Sequence, residues 1–125
     1  MQLLKQCLAI ALAGSLGALA RFFVASACRY VFTDSFVGTM IINLSGSLFL
    51  GWFMGVAGDR IASETLRLAI AVGFVGAYTT FSTFMFETNA LVEGGQFYKA
   101  VANLIFSIAL GLIAVRVGAI CAQRF

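Results

Sequence analysis

The chain contains no histidine and no proline, and of its 125 residues only 8 are basic and 5 acidic. The missing histidine removes the side chain that most often carries protons near neutral pH and most often ligates transition metals. Its three cysteines, Cys7, Cys28 and Cys121, are isolated singletons. Without a CxxC pair, zinc, iron–sulfur and haem sites of the usual spacing are excluded, and each cysteine reads as a small apolar residue of a helix. With no nucleophile beside a base and no metal cluster, nothing points to an enzyme. The missing proline means that any break in a helix must come from glycine and side-chain hydroxyls. Charge is the deepest deficit. A soluble domain carries about 25% charged residues, whereas this chain has 10%, against 62% hydrophobic. A soluble core cannot absorb that difference, so the reading is an all-α integral membrane protein whose function lies within the bilayer. A net charge of +3 is too small to suggest a nucleic-acid partner.

A hydrocarbon core about 30 Å thick takes roughly 20 helical residues to cross. Four segments qualify: about Leu3 to Phe32, Phe36 to Gly58, Leu66 to Leu91, and Phe97 to Cys121. Short polar breaks separate them at Thr33-Asp34-Ser35, Asp59 to Thr65 and Glu93-Gly94-Gly95-Gln96. Loops this tight predict antiparallel neighbours in one domain over residues 1–125, with both termini on one side. The first segment is expected to remain a span, being too long for a signal peptide and lacking a small-residue cleavage site. With the N-terminus inside, Lys5, Arg60, Arg67, Arg116 and Arg124 fall near the cytoplasm, and Arg21, Arg29 and Lys99 in the outer half. This leans toward that topology.

Segments 2 and 4 carry stripes of small and polar residues every four positions: Thr39, Asn43, Ser47, Gly51 and Gly55, then Lys99, Asn103, Ser107 and Gly111. That spacing keeps them on one helical face. Gly51 and Gly55 read as packing residues, because small side chains let backbones approach in lipid. Asn43, an amide near mid-membrane, reads equally as structural glue and as a ligand on a conduction path.

The most informative stretch is Thr79-Thr80-Phe81-Ser82-Thr83-Phe84, just after Gly73-Phe74-Val75-Gly76. Four hydroxyls and two phenylalanines stand where lipid would favour leucine and valine. Backbone in hydrocarbon must satisfy itself internally, so a glycine-punctuated, hydroxyl-rich stretch predicts a broken helix lining protein or water. Glycine is expected to permit the break, at Gly73, Gly76 or the threonine pair. The alternative is a continuous helix whose hydroxyls bond back to the preceding turn. Arg21, deep in segment 1, either snorkels or faces a water-filled vestibule. Glu87, one turn beyond Phe84, is a functional candidate or the partner of a cation on a neighbouring helix. Arg116 and Arg124 read as interface anchors, and Trp52 and Tyr98 as ordinary amphipathic aromatics.

Across essentially its full length the chain resembles the Fluc (CrcB) fluoride channels of bacteria. The matching pieces are Gly17-Ala-Leu-Ala-Arg21, Gly38-Thr39 followed by Asn43, and the run from Gly73 to Phe84 with Glu87 beyond it. The resemblance implies an antiparallel homodimer in the bacterial inner membrane, or a heterodimer with a sibling chain, with two fluoride pores. It implies that Asn43, Phe81 and Phe84 line a pore and that Thr39 and Ser107 follow the conduction path, with Ser82 and Thr83 as further lining candidates. It puts Arg21 in the vestibule and gives the backbone carbonyls of Gly76 and Thr79 to a structural sodium ion at the dimer centre. Two departures stand out. Gly76-Ala77 replaces a pair of glycines common in the family, and Asn103 stands where an aromatic or imidazole ring is frequent.

These residue types suit fluoride. The positive edges of phenylalanine rings can meet an anion, and amide and hydroxyl hydrogens donate without a full charge that would trap it. The expected function is passive export of fluoride that entered as hydrogen fluoride. A proton-coupled multidrug exporter of similar size would need a carboxylate in its first helix, and segment 1 has none. A subunit serving assembly alone would tolerate replacement of Asn43, Phe81 and Phe84.

Overall fold

The computed structural model describes residues 1–60 and 63–124, without the side chains of Asp59 and Arg60. Its elements are helical: α1 (Gln2–Val31), α2 (Ser35–Arg60), α3 (Glu64–Leu68), a π-helical turn (Ala69–Val75), α4 (Gly76–Tyr78), α5 (Phe81–Glu93) and α6 (Phe97–Ala122). Together they make four runs long and apolar enough to cross a membrane: Gln2–Val31, Ser35–Gly58, Glu64–Glu93 and Phe97–Ala122. The protein is a multi-pass, all-helical membrane protein, and each run ends within a few residues of the expected limits. The Arg60 side chain, counted in the charge balance, and residues 61 and 62 of the second polar break lie outside what is described.

The polar breaks end the helices for local reasons. Ser63 accepts a hydrogen bond from Leu66 N–H at 3.3 Å and so caps α3, whose first turn carries Glu64; both favour a helix start. Between α5 and α6, Gly95 takes φ 71, and the N–H groups of residues 94–96 return to the carbonyls of Ala90, Val92 and Leu91. Lys99 at the start of α6 lies 3.2 Å from Asp34 in the α1–α2 turn. Those two turns therefore share one end of the bundle. Gln2 and Thr65, 3.5 Å apart, mark the other.

Association of helices in lipid depends on close backbone approach rather than on hydrophobic drive. Accordingly α2 runs along α6, and α1 runs along the π-helical turn and α4. A Cβ on Gly51 would overlap the Val115 carbonyl, and one on Gly118 would overlap that of Leu48. The Gly51 and Gly55 half of the first stripe is thus a packing seam, as expected. In the second stripe a Cβ on Gly111 would meet nothing within 4 Å, so equal spacing conceals different roles. Large apolar side chains such as Leu12, Phe23 and Leu112 point outward, as a lipid solvent requires.

Candidate functional site

The third span is interrupted at Thr79 (φ −77°, ψ 155°) and Thr80 (φ −147°, ψ 117°), two extended residues between α4 and α5. Any residue adopts that conformation, and Gly76 is helical at φ −61°, ψ −33°. The expectation that glycine permits the break is therefore corrected. Gly73 instead serves packing: a Cβ there would lie 2.7 Å from the Ile10 carbonyl of α1. The π-helical turn just before the break is itself a common companion of functional sites.

Thr79 N–H and Thr79 Oγ1 both reach the Val75 carbonyl at 2.9 Å, closing the first half-helix. Thr80 N–H donates to Asn43 Oδ1 at 2.8 Å, and Asn43 Nδ2 donates to the Thr80 carbonyl at 3.0 Å. The asparagine amide thus stands in for a missing stretch of backbone. Thr80 Oγ1 accepts from Thr83 N–H at 3.3 Å, which caps α5, and donates to Thr83 Oγ1 at 3.0 Å. Ser82 Oγ lies 3.5 Å from the same hydroxyl.

The diverted bonds leave two carbonyls behind. In a continuous helix Thr80 N–H would bond the Gly76 carbonyl and Thr83 N–H that of Thr79. Both donors are diverted, the first to Asn43 and the second to the Thr80 hydroxyl. The carbonyls of Gly76 and Thr79 are left without their helical partners. Among the described residues no three carboxylates or thiols come together to hold a metal, so a cation here would depend on neutral oxygens, backbone carbonyls or hydroxyls.

Opposite the break, Gly46 of α2 leaves room for the Thr79 methyl group, which a Cβ would overlap. Ser45 Oγ and Tyr78 Oη, 2.9 Å apart, hold the same two elements together. Two cavities flank the interruption. One of about 230 Å³ is lined by Asn43, Gly46, Ser47, Thr79, Thr80 and Phe81. The other, about 430 Å³, has Arg21, Thr39, Thr83 and Glu87 in its wall. Thr80 lines both.

The remaining candidates divide. The Phe81 and Phe84 rings meet edge to face, with centroids 6.2 Å apart at 63°, but their surroundings differ. Phe81 is 74% exposed and Phe84 5%. Ser107 and Asn103 stand away from the break, in a relay that runs from half-buried Ser107 to buried Asn103 and Thr88. Ser107 Oγ donates to Asn103 Oδ1 (3.2 Å), Asn103 Nδ2 donates to Thr88 Oγ1 (2.8 Å), and Thr88 Oγ1 donates to the Phe84 carbonyl (2.7 Å). Glu87 pairs with no cation among the described residues, and its Oε2 is buried without a hydrogen-bond partner.

Sequence reasoning passed over Thr88, Gly46 and the Ser45–Tyr78 contact. Thr88 carried a usable signal, since a threonine four residues after Phe84 can bond back to its carbonyl. Gly46 carried none, because only the fold brings Thr79 against it. The arrangement as a whole offers neutral donors around an interrupted backbone, with two guanidiniums, of Arg21 and Arg29, in the wall of the wider cavity and none in that of the smaller one.

A family model described as CrcB-like protein, Camphor Resistance (CrcB), matches residues 8–119. The chain is 42% identical over 119 residues to a protein of Solibacter usitatus named Fluoride-specific ion channel FluC, covering 94% of this chain and 98% of that one. A Geobacter sulfurreducens protein of the same name is 37% identical over 119 residues, covering 94% and 96%. A third of that name, from Methylococcus capsulatus, is 48% identical over 118 residues. The match covers 93% of this chain but 52% of that relative, so the chain spans about half its length.

Proposed function

This chain belongs to the CrcB family, and from that membership we propose that it is a fluoride-selective channel. It is a channel and not an enzyme. Its task is passive export of fluoride across the bacterial inner membrane, down an electrochemical gradient that an inside-negative potential favours for an anion.

The observation that carries this reading is the break between the two cavities, spliced by Asn43 and bordered by hydroxyls and phenylalanine. Fluoride gives up tightly held water on entering a pore, and several neutral donors can replace that water without trapping the ion. Asn43 has two amide hydrogens, and one of them is not used by Thr80. Asn43, Phe81 and Phe84 line the pore in this reading, with Thr39, Ser82, Thr83 and Ser107 along its polar path. Arg21 draws anions into the wider cavity, and Glu87 is a further polar group on its wall.

The functional unit is an antiparallel homodimer, with pairing to a sibling chain as the variant. A structural sodium ion sits between the copies, held by the Gly76 and Thr79 carbonyls of each. Support comes from the diverted donors, which leave those two oxygens short of partners. Sodium would supply charge that fixes the broken backbone without entering the conduction path.

The test is fluoride efflux from liposomes holding the purified protein, read with a fluoride electrode, with chloride efflux as control. Rapid fluoride loss with negligible chloride loss is expected. Retention of both ions, also after co-expression with a sibling chain, would remove the reading.

A further inference from the structure

Resting on the reading of the chain as an anion channel, we propose that Lys99 and Asp34 form an electrostatic gatekeeper pair at one entrance. Lys99 neutralises a carboxylate that would otherwise repel the incoming anion. Asp34 belongs to the wall of the 430 Å³ cavity, together with Arg21, Arg29 and Glu87. It sits in the α1–α2 turn, at the end of the bundle. A bare carboxylate at the mouth of a cavity that must concentrate fluoride works against the arginines behind it.

Lys99 reaches this carboxylate from α6, 65 residues along the chain, with Nζ 3.3 Å from Oδ1 and 3.2 Å from Oδ2. The cavity's own arginines leave Asp34 alone. Arg29 bonds Ser26 at 3.2 Å, and Lys99–Asp34 is the one ion pair among the described residues. With Lys99 the group counts three cations against two carboxylates, and without it the charges balance. Both side chains are about half exposed, at 49% and 41%. Exposed pairs contribute little to stability, so an effect on ion entry can be separated from an effect on folding.

The test compares Lys99→Gln, Asp34→Asn and the double variant with the native protein, in liposomes at low fluoride. Efflux is read at an ionic strength of about 10 mM, where the Debye length is about 30 Å, and in about 1 M impermeant salt, where it is about 3 Å. At low salt, Lys99→Gln is expected to slow efflux about tenfold, the lower end of steering effects. The difference should vanish in high salt, and Asp34→Asn alone should conduct at least as fast as the native protein. The double variant should recover native efflux, because removing the carboxylate removes the need for its neutraliser. If the double variant stays as slow as Lys99→Gln, or if the loss persists in high salt, the pair is a mechanical tie and the inference is overturned. Native protein that releases no fluoride would instead remove the channel reading, and the inference with it.

Discussion

The side-chain amide of Asn43 and the backbone of Thr80 form a closed two-point contact, with Thr80 N–H on Oδ1 at 2.8 Å and Nδ2 on the Thr80 carbonyl at 3.0 Å. One side chain on α2 therefore repairs both backbone groups of a residue on the third span. The two roles left open for Asn43 are compatible: it splices the break, and it keeps an amide hydrogen free beside the smaller cavity.

Replacing Asn43 by alanine is expected to orphan both Thr80 groups in the membrane interior. Each buried unsatisfied group costs about 1–3 kcal/mol. Asn43→Ala should lower the thermal midpoint in detergent and reduce fluoride efflux at least tenfold. Glutamine, longer by one methylene, should not restore efflux, because the two-point geometry is lost. Native-like efflux in Asn43→Ala would separate the splice from conduction.

The two phenylalanines should part in their effects. Phe81 is 74% exposed in the single chain and Phe84 only 5%. Phe81→Ile is expected to cut efflux strongly while leaving the melting curve and dimer assembly unchanged. Phe84→Ala should also destabilise, by the roughly 3–5 kcal/mol that truncating a buried phenylalanine costs. Full flux in Phe81→Ile would show that its ring does not line the pore.

Much of this was legible in the sequence, for physical reasons that differ by residue. Spans follow from composition, because the bilayer imposes length and apolarity, and the packing role of Gly51 followed from its spacing. The place of the break was legible from the threonine pair, but its cause was not. Gly73 and Gly76 drew attention as glycines, yet the break needs only extended backbone at Thr79 and Thr80 and a partner from another helix. That partner, like the fit of Gly46 against Thr79, exists only once α2 and the third span are packed. Nor could the sequence reveal that the Phe81 ring is open and the Phe84 ring enclosed.

If the Gly76 and Thr79 carbonyls of two copies hold sodium, the ion binds the folded dimer alone. Stability should then rise with sodium concentration as a ligand-linked quantity, by about 2.7 kcal/mol at a hundred times the dissociation constant. Exchanging sodium for N-methylglucamine at constant ionic strength is expected to lower the thermal midpoint. Thr79→Ser should keep the sodium dependence, since the ligand is backbone. A midpoint indifferent to sodium would remove the ion from the assembly.

The relay through Thr88 ends on the carbonyl of Phe84, so α6 holds the turn that carries this ring. Thr88 is 7% exposed and Asn103 2%, so neither can turn to water. Thr88→Val, close in shape, leaves the Asn103 Nδ2 without that acceptor and the Phe84 carbonyl without its hydroxyl donor, whereas Thr88→Ser keeps both bonds. Thr88→Val should therefore lower the thermal midpoint and slow efflux, with Thr88→Ser near native in both. Asn103→Leu tests the other end, because it removes the amide and leaves the Thr88–Phe84 bond in place. If the relay serves Phe84, Asn103→Leu should be milder than Thr88→Val in efflux even where the two lose similar stability. Equal losses of efflux, following stability alone, would make the relay a general helix tie with no particular bearing on the ring.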